Sequence, residues 1–174
     1  ANLTTGLEPP ERFFGLHGGH RADVIEIGMN HSGETATLAA IAAPSIGLVN
    51  NAQREHQEFM KSVADVALEH CALIAALADN GVAVLNADDA FAPFFATLAH
   101  GRRILRFGLD SSSDIAVRAL RVGTAGSDFE LITPIGNTQV KLPLPGRHNA
   151  MNALAAPAPP PGAGVAHDPT RAGR

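Results

Sequence analysis

The sequence predicts an α/β fold in which helices flank a mostly parallel sheet that carries a small antiparallel β meander. In the first two thirds of the chain, short apolar segments that end at polar residues alternate with longer Ala-rich or amphipathic segments. This alternation is typical of a parallel sheet that is covered on both faces. After residue 114 the pattern changes to short extended segments separated by Gly-containing turns, which is typical of antiparallel hairpins.

The apolar segments are predicted to form parallel strands at residues 23–27, 46–50, 82–86 and 104–107. The predicted helices between them cover residues 32–43, 62–77 and 90–99. The second helix has the clearest signals, because Ser62 and Asp65 resemble a capping box and apolar residues then recur at helical spacing. The pair Asn80-Gly81 is predicted to end it. His70 falls in the same apolar row and is expected to be a core residue.

The remaining elements are three extended segments and a last helix. The meander is predicted at residues 115–122, 129–134 and 139–142, and a helix follows from about Asn149. Prolines at 157 and 159–161 cannot continue that helix, because proline lacks the N–H and clashes with the preceding turn. We therefore predict one domain over residues 1–156 and a Pro-rich, disordered tail over residues 157–174.

Composition limits the class of protein. The chain has 174 residues, 45% of them hydrophobic, which is the size and apolar content of one globular domain. Its formal charge of −4 and the lack of a basic run argue against a nucleic-acid or anionic-membrane partner. No apolar run reaches the roughly 20 residues that span a bilayer, and the first residues lack the order of a secretion signal. Cys71 is the only cysteine, so an internal disulfide or a zinc cluster is not expected. Together these observations predict a cytoplasmic protein.

A magnesium site is one interpretation of two polar clusters that follow predicted strands. Glu26 lies inside the first strand, where an unpaired carboxylate is costly, and His56 lies in the polar loop over residues 50–58. Carboxylate oxygens suit Mg²⁺, and one imidazole can join such a site. The alternatives are that Glu26 faces solvent or forms a salt bridge with Arg21, and that residues 50–58 form a solvated loop with an N-capping Asn. Each cluster, taken alone, favours its alternative.

Two further clusters follow strands or precede a helix. In residues 86–89, Asp88 or Asp89 is most simply the N-cap of the next helix. Residues 144–152 form a Gly turn and a helix start, where free N–H groups and the amides of Asn149 and Asn152 suit a nucleobase edge. The alternative is that Asn149 only caps the helix. This alternative does not apply to Asn152, which lies one turn later.

Taken together, these segments resemble the Mur ligase family in their order and spacing, from about residue 1 to 156. The resemblance is carried by residues 24–34, 49–51 with His56, 86–89, 142–149 and 152–156. It implies the central, P-loop NTPase-type domain of a three-domain ATP-dependent ligase. Within the family, the similarity is greatest to the ligases of peptidoglycan precursor synthesis that join D-alanyl-D-alanine to UDP-N-acetylmuramoyl-tripeptide. The reaction implied is activation of a carboxylate by ATP as an acyl phosphate, followed by attack of an amine.

The resemblance also implies roles for single residues. Glu26 and His56 match positions that hold Mg²⁺, and Asn149 and Asn152 match positions near the adenine of ATP. Asn30, His31 and Asn51 fall in the matching strand-end loops, without an assigned role.

Two departures from the family bear on activity. No G-x-x-x-x-G-K-S or G-x-x-x-x-G-K-T phosphate-binding loop occurs in the 174 residues. His70 stands where many members have a carbamylated lysine. We therefore expect a monomeric fragment of the ligase that is inactive alone. The alternatives are a non-catalytic remnant or nucleotide-binding scaffold, and a metal-binding α/β domain unrelated to ATP, against which the Asn149 and Asn152 pair argues.

Overall fold

The computed structural model describes residues 24–29, 31–52, 62–110 and 112–156, and the backbone of residues 2–3. The strands are β1 (Asn2–Leu3), β2 (Glu26–Ile27), β3 (Ile46–Val49), β4 (Val82–Asn86), β5 (Arg103–Gly108), β6 (Ile115–Val122), β7 (Ser127–Thr133) and β8 (Gly136–Leu142). The helices are α1 (Glu34–Ala42), α2 (Val63–Ala75), α3 (Ala92–Leu98) and α4 (Arg147–Ala155). None of the helices in these ranges is long and apolar enough to cross a bilayer.

The main sheet has six strands in the order β3-β4-β5-β6-β7-β8. Strands β3 to β6 are parallel, and β6, β7 and β8 form an antiparallel meander. The predicted α/β class with its meander is therefore confirmed. The meander continues the same sheet, because β5 and β6 pair in parallel at Phe107 with Ile115 and at Gly108 with Ala116.

The first predicted strand differs from the structure in length and partner. Residues 23–27 were expected to join the parallel sheet, but β2 covers two residues and pairs with β1, at Asn2 with Glu26 and at Leu3 with Ile27. Val24, which the prediction placed inside the strand, is 85% exposed.

The core consists of two clusters on opposite faces of the sheet. All residues of β4 are buried, and its side chains alternate between the clusters. Ala83 and Leu85 face the cluster that α2 and α3 cover, whereas Val82 and Val84 face the cluster that α4 covers. Helices on both faces explain why β4 has a continuous apolar sequence.

Helix α2 follows its predicted signals closely. Ser62 is the N-cap, and its hydroxyl accepts the Asp65 N–H at 3.2 Å. The Asp65 carboxylate completes the motif differently from a capping box, since the Ser62 hydroxyl donates to it at 2.9 Å. Beyond the other end of α2, the Arg102 guanidinium donates to the carbonyls of Leu77 and Ala78 at 2.7 and 3.0 Å. A cation at this end also interacts favourably with the helix dipole.

The predicted tail over residues 157–174 lies outside the described residues, so the proposed boundary at residue 156 stays a prediction.

Candidate functional site

The candidate site lies at the carboxyl ends of β3, β4 and β5, which meet at one edge because the three strands are parallel. Asn50 follows β3 and Asn86 ends β4. The Asn86 amide nitrogen donates to the Asn50 carbonyl at 2.8 Å, and its amide oxygen accepts the Asp88 N–H at 2.9 Å. Asn86 is buried, so these bonds hold the ends of two neighbouring strands at a fixed separation.

Asp88 and Asp89 hold the loops of this edge in place. Asp88 accepts the Leu109 N–H at 2.9 Å, and Asp89 accepts the N–H groups of Ala52 and Phe91, each at 2.7 Å. The prediction that one of the two aspartates is the N-cap of α3 is wrong, because Phe91 is the N-cap and has no side-chain cap bond. The two oxygens of the Asp89 carboxylate instead accept from different segments. One accepts the Phe91 N–H in the turn before α3, and the other accepts the Ala52 N–H in the loop after β3.

The start of α4 has the expected Gly turn. Gly146 is the N-cap with φ 106°, a left-handed conformation that favours glycine, and no side chain caps the helix. Asn149 is half-buried, and its amide nitrogen donates to the Pro145 carbonyl at 2.7 Å. Asn149 is therefore not a helix cap, which would accept an N–H. Its bond orients the side chain and leaves the amide oxygen and one N–H.

Asn152 links α4 to the strand ends. Its amide oxygen accepts a hydrogen bond from the Asn50 amide nitrogen at 2.9 Å, although the two residues are 102 positions apart. Asn149 and Asn152 lie three residues apart on one helix, so their side chains project from the same side. The structure thus places Asn152 beside the carboxyl end of β3, with Asn149 on the same side of α4.

The predicted magnesium site cannot be assembled from the described residues. Glu26 is exposed on β2, while His56 and Asn30 lie outside the described residues. Among the residues that the structure does describe, no group of three or more His, Cys, Asp and Glu side chains could hold a metal ion. The assignment of Glu26 and His56 to Mg²⁺ therefore stays a prediction.

The structure gives the other residues named from the sequence either local contacts or no defined role. The His31 ring, 63% exposed, lies 3.0 Å from the Glu34 carboxylate at the start of α1. Asn51 and His70 are half-buried. The Cys71 thiol donates to the Ala67 carbonyl at 3.0 Å, and burial raises its pKa above the ordinary value.

One residue that the sequence analysis missed supports the strand-end loop. Glu69 on α2 is 8% exposed, and its carboxylate accepts the Gly33 N–H at 2.9 and 3.0 Å and the Thr35 N–H at 2.9 Å. It caps α1, whose own N-cap Gly33 provides no side chain. The signal was present, since Glu69 follows Val66 by three residues in the buried row of α2.

Comparison with known sequences identifies the family and relatives that this chain resembles. Residues 2–158 match the Mur ligase middle domain. The chain is 36% identical over 173 residues to UDP-N-acetylmuramoyl-tripeptide--D-alanyl-D-alanine ligase of Escherichia coli (strain K12), which covers 99% of this chain and 38% of that protein. It is 31% identical over 157 residues to the Haemophilus influenzae protein of the same name, covering 90% of this chain and 34% of that protein. It therefore spans between 34% and 38% of the length of these two relatives.

Solved structures of related proteins also resemble this chain. A crystal structure of MurF from Acinetobacter baumannii matches with a TM-score of 0.80 and 26% identity, over 84% of this chain and 32% of that one. MurF ligase from Thermotoga maritima, solved in complex with ADP, matches with a TM-score of 0.65 and 21% identity. That match covers 76% of this chain and 31% of the Thermotoga chain, and it bears on the fold alone.

Proposed function

Since the chain belongs to the Mur ligase family, we propose that it is the nucleotide-binding part of a cytoplasmic ligase of peptidoglycan precursor synthesis. The substrates proposed, D-alanyl-D-alanine and UDP-N-acetylmuramoyl-tripeptide, are those in the name of the Escherichia coli relative. In the structure, the observation that supports the proposal best is the pair of asparagine amides beside the carboxyl ends of β3 and β4.

The asparagine pair fits adenine. With one hydrogen bond already made by each amide, Asn149 retains its oxygen and one N–H, and Asn152 retains its NH₂ group. Adenine presents a donor, the 6-amino group, beside an acceptor ring nitrogen, and asparagine amides pair with such an edge. The uncapped N–H groups at the start of α4 additionally favour an anionic ligand.

Glu26 and His56 are proposed to hold Mg²⁺. A carboxylate and an imidazole would supply the oxygen and nitrogen ligands that such a site can use. ATP and Mg²⁺, when bound, supply activation of a substrate carboxylate as an acyl phosphate. The contribution of this chain is to orient the base through α4 and to position charge near the phosphates, which is most of what phosphoryl transfer requires.

We further propose that the isolated chain has no turnover. The 174 residues contain no Gly-Lys-Ser or Gly-Lys-Thr loop to hold the β- and γ-phosphates. His70, in place of the lysine of many members, cannot be carbamylated in the same way. For the 174 residues taken by themselves, these two features favour nucleotide binding without catalysis, and catalysis is proposed only for the ligase of which they form a part.

Titrations of the isolated chain test the proposal. In calorimetry, ATP with Mg²⁺ should give weak heat or none, and tight magnesium-dependent binding by the isolated chain would refute this expectation of weak binding. Mn²⁺ should broaden the NMR signals of residues near Glu26 and His56. Either Glu26→Ala or His56→Ala should abolish this broadening, whereas Asp79→Ala, which removes an exposed carboxylate elsewhere, should leave it unchanged. Broadening that survives both site variants would contradict the metal assignment.

A further inference from the structure

Three asparagines connect the ends of two strands to the outer side of α4. The Asn86 amide donates to the Asn50 carbonyl at 2.8 Å, and the Asn50 amide donates to Asn152 at 2.9 Å. Asn86 is buried and Asn50 is half-buried, whereas Asn152 is exposed. This series of hydrogen bonds therefore leads from the core of the sheet to the surface of the candidate site.

The burial of one side of the Asn50 amide determines which way the amide faces. Its oxygen is buried and accepts no hydrogen bond from the described residues, while its nitrogen donates to Asn152. In this orientation the NH₂ group, which has hydrogens to donate, keeps a partner, and the unbonded group is the oxygen. Buried N–H groups without partners are rarer in proteins than buried carbonyl oxygens without them, because each lost donor costs the full desolvation penalty. Asn50 is therefore a donor toward Asn152.

A donor at Asn50 fixes the Asn152 amide in turn. The Asn152 oxygen faces Asn50, so the Asn152 NH₂ group faces outward. Asn149, fixed by its bond to Pro145, retains an outward oxygen. Together the two residues present an acceptor and a donor, which complement the 6-amino group and the adjacent ring nitrogen of adenine.

We propose that Asn50 is a positioning residue that makes Asn152 a hydrogen-bond donor to a ring nitrogen of the bound adenine. This inference rests on the proposed function, which puts the adenine beside α4. Asn50 itself does not touch the base, because its amide nitrogen is used by Asn152 and its amide oxygen is buried.

Asn50→Asp tests the inference with a nearly isosteric change. An aspartate can only accept, so the Asn152 amide must rotate to donate to it, and its oxygen then faces outward. The ligands are adenosine, which needs no phosphate site, and its 1-deaza and 7-deaza analogues, each of which lacks one ring nitrogen beside the 6-amino group. Affinities are measured by NMR titration of the isolated chain.

The wild type should bind one of the two analogues roughly 3- to 10-fold more weakly than adenosine, the worth of one hydrogen bond. In Asn50→Asp that difference should disappear, and the side-chain NH₂ signals of Asn152 should shift even without ligand. Asn152→Asp, a change at an exposed position that leaves Asn50 its acceptor, should remove the same difference and serves if Asn50→Asp does not fold.

The outcomes separate the two proposals. If the wild type does not bind adenosine at millimolar concentration, the adenine site itself is refuted, and this role of Asn50 with it. If the wild type binds adenosine but treats both analogues alike, or if Asn50→Asp weakens all three ligands equally, the adenine site stands and the positioning role of Asn50 is refuted. Unchanged Asn152 NH₂ signals in Asn50→Asp would also refute that role.

Discussion

Replacing Glu69 should destabilise the protein, because its buried carboxylate caps a neighbouring helix. The carboxylate is 8% exposed and accepts the N–H groups of Gly33 and Thr35 at 2.9–3.0 Å. Loss of a helix cap costs about 1 kcal/mol, and a buried polar group left without a partner costs about 1–3 kcal/mol. Because these terms overlap and cannot be summed, we expect Glu69→Ala to lower the free energy of unfolding by about 1–3 kcal/mol.

The measurement is urea unfolding followed by circular dichroism, with amide hydrogen exchange at Gly33 and Thr35. Glu69→Gln keeps an acceptor oxygen but loses the charge, and a charge-assisted bond is roughly twice as strong as a neutral one, so its loss of stability should be about half as large. Asp79→Ala removes an exposed carboxylate just after α2 and should change stability by less than about 0.5 kcal/mol. A Glu69→Ala effect no larger than that of Asp79→Ala, or unchanged exchange at Gly33, would refute the capping role.

Three further predictions concern the scaffold. Arg102→Ala removes both hydrogen bonds to the carbonyls after α2, so it should lower the free energy of unfolding in urea by about 1–2 kcal/mol. Arg103→Ala, at an exposed position, is the control, and an equal loss in both variants would contradict the stabilising role of Arg102. Gly126→Ala should cost about 1–3 kcal/mol, because the new Cβ would collide with the backbone carbonyl of Leu142, and an unchanged unfolding midpoint would show that the turn adapts. Cys71 should be alkylated more slowly than free cysteine at pH 7, and faster as the pH rises, because burial raises its pKa and the thiolate is the reactive form. An alkylation rate equal to that of free cysteine would contradict this prediction.

The elements that sequence predicted correctly are those with strong local signals. The ranges predicted for β4 and β6 agree with the structure at both ends, because each is an extended segment bounded by turn residues. Ser62 begins α2 as its pairing with Asp65 indicated. In these cases the information lies within a few residues of the element itself.

The features that sequence did not predict depend on contacts between distant residues. Glu69 reaches Gly33 across 36 positions, and Asn50 reaches Asn152 across 102. The spacing of α2 indicates that Glu69 is buried, but no pattern identifies its partner or that of Asn50, because both depend on how α1 and α4 pack against the rest of the domain. The strand at Glu26 was also predicted too long, since Val24 is exposed and lies outside β2 although its sequence is apolar.

The mixed sheet has a consequence for the order in which the molecule folds. Strands β6, β7 and β8 pair with their nearest neighbours through short turns, so few intervening residues must be ordered before their contacts form. Strands β3, β4 and β5 pair only after the chain has crossed back through α2 and α3. We expect amide protection to develop first in the meander during refolding and last at the edge that carries Asn50 and Asn86. The half of the sheet with the simplest topology would then serve as the template on which the candidate site is completed.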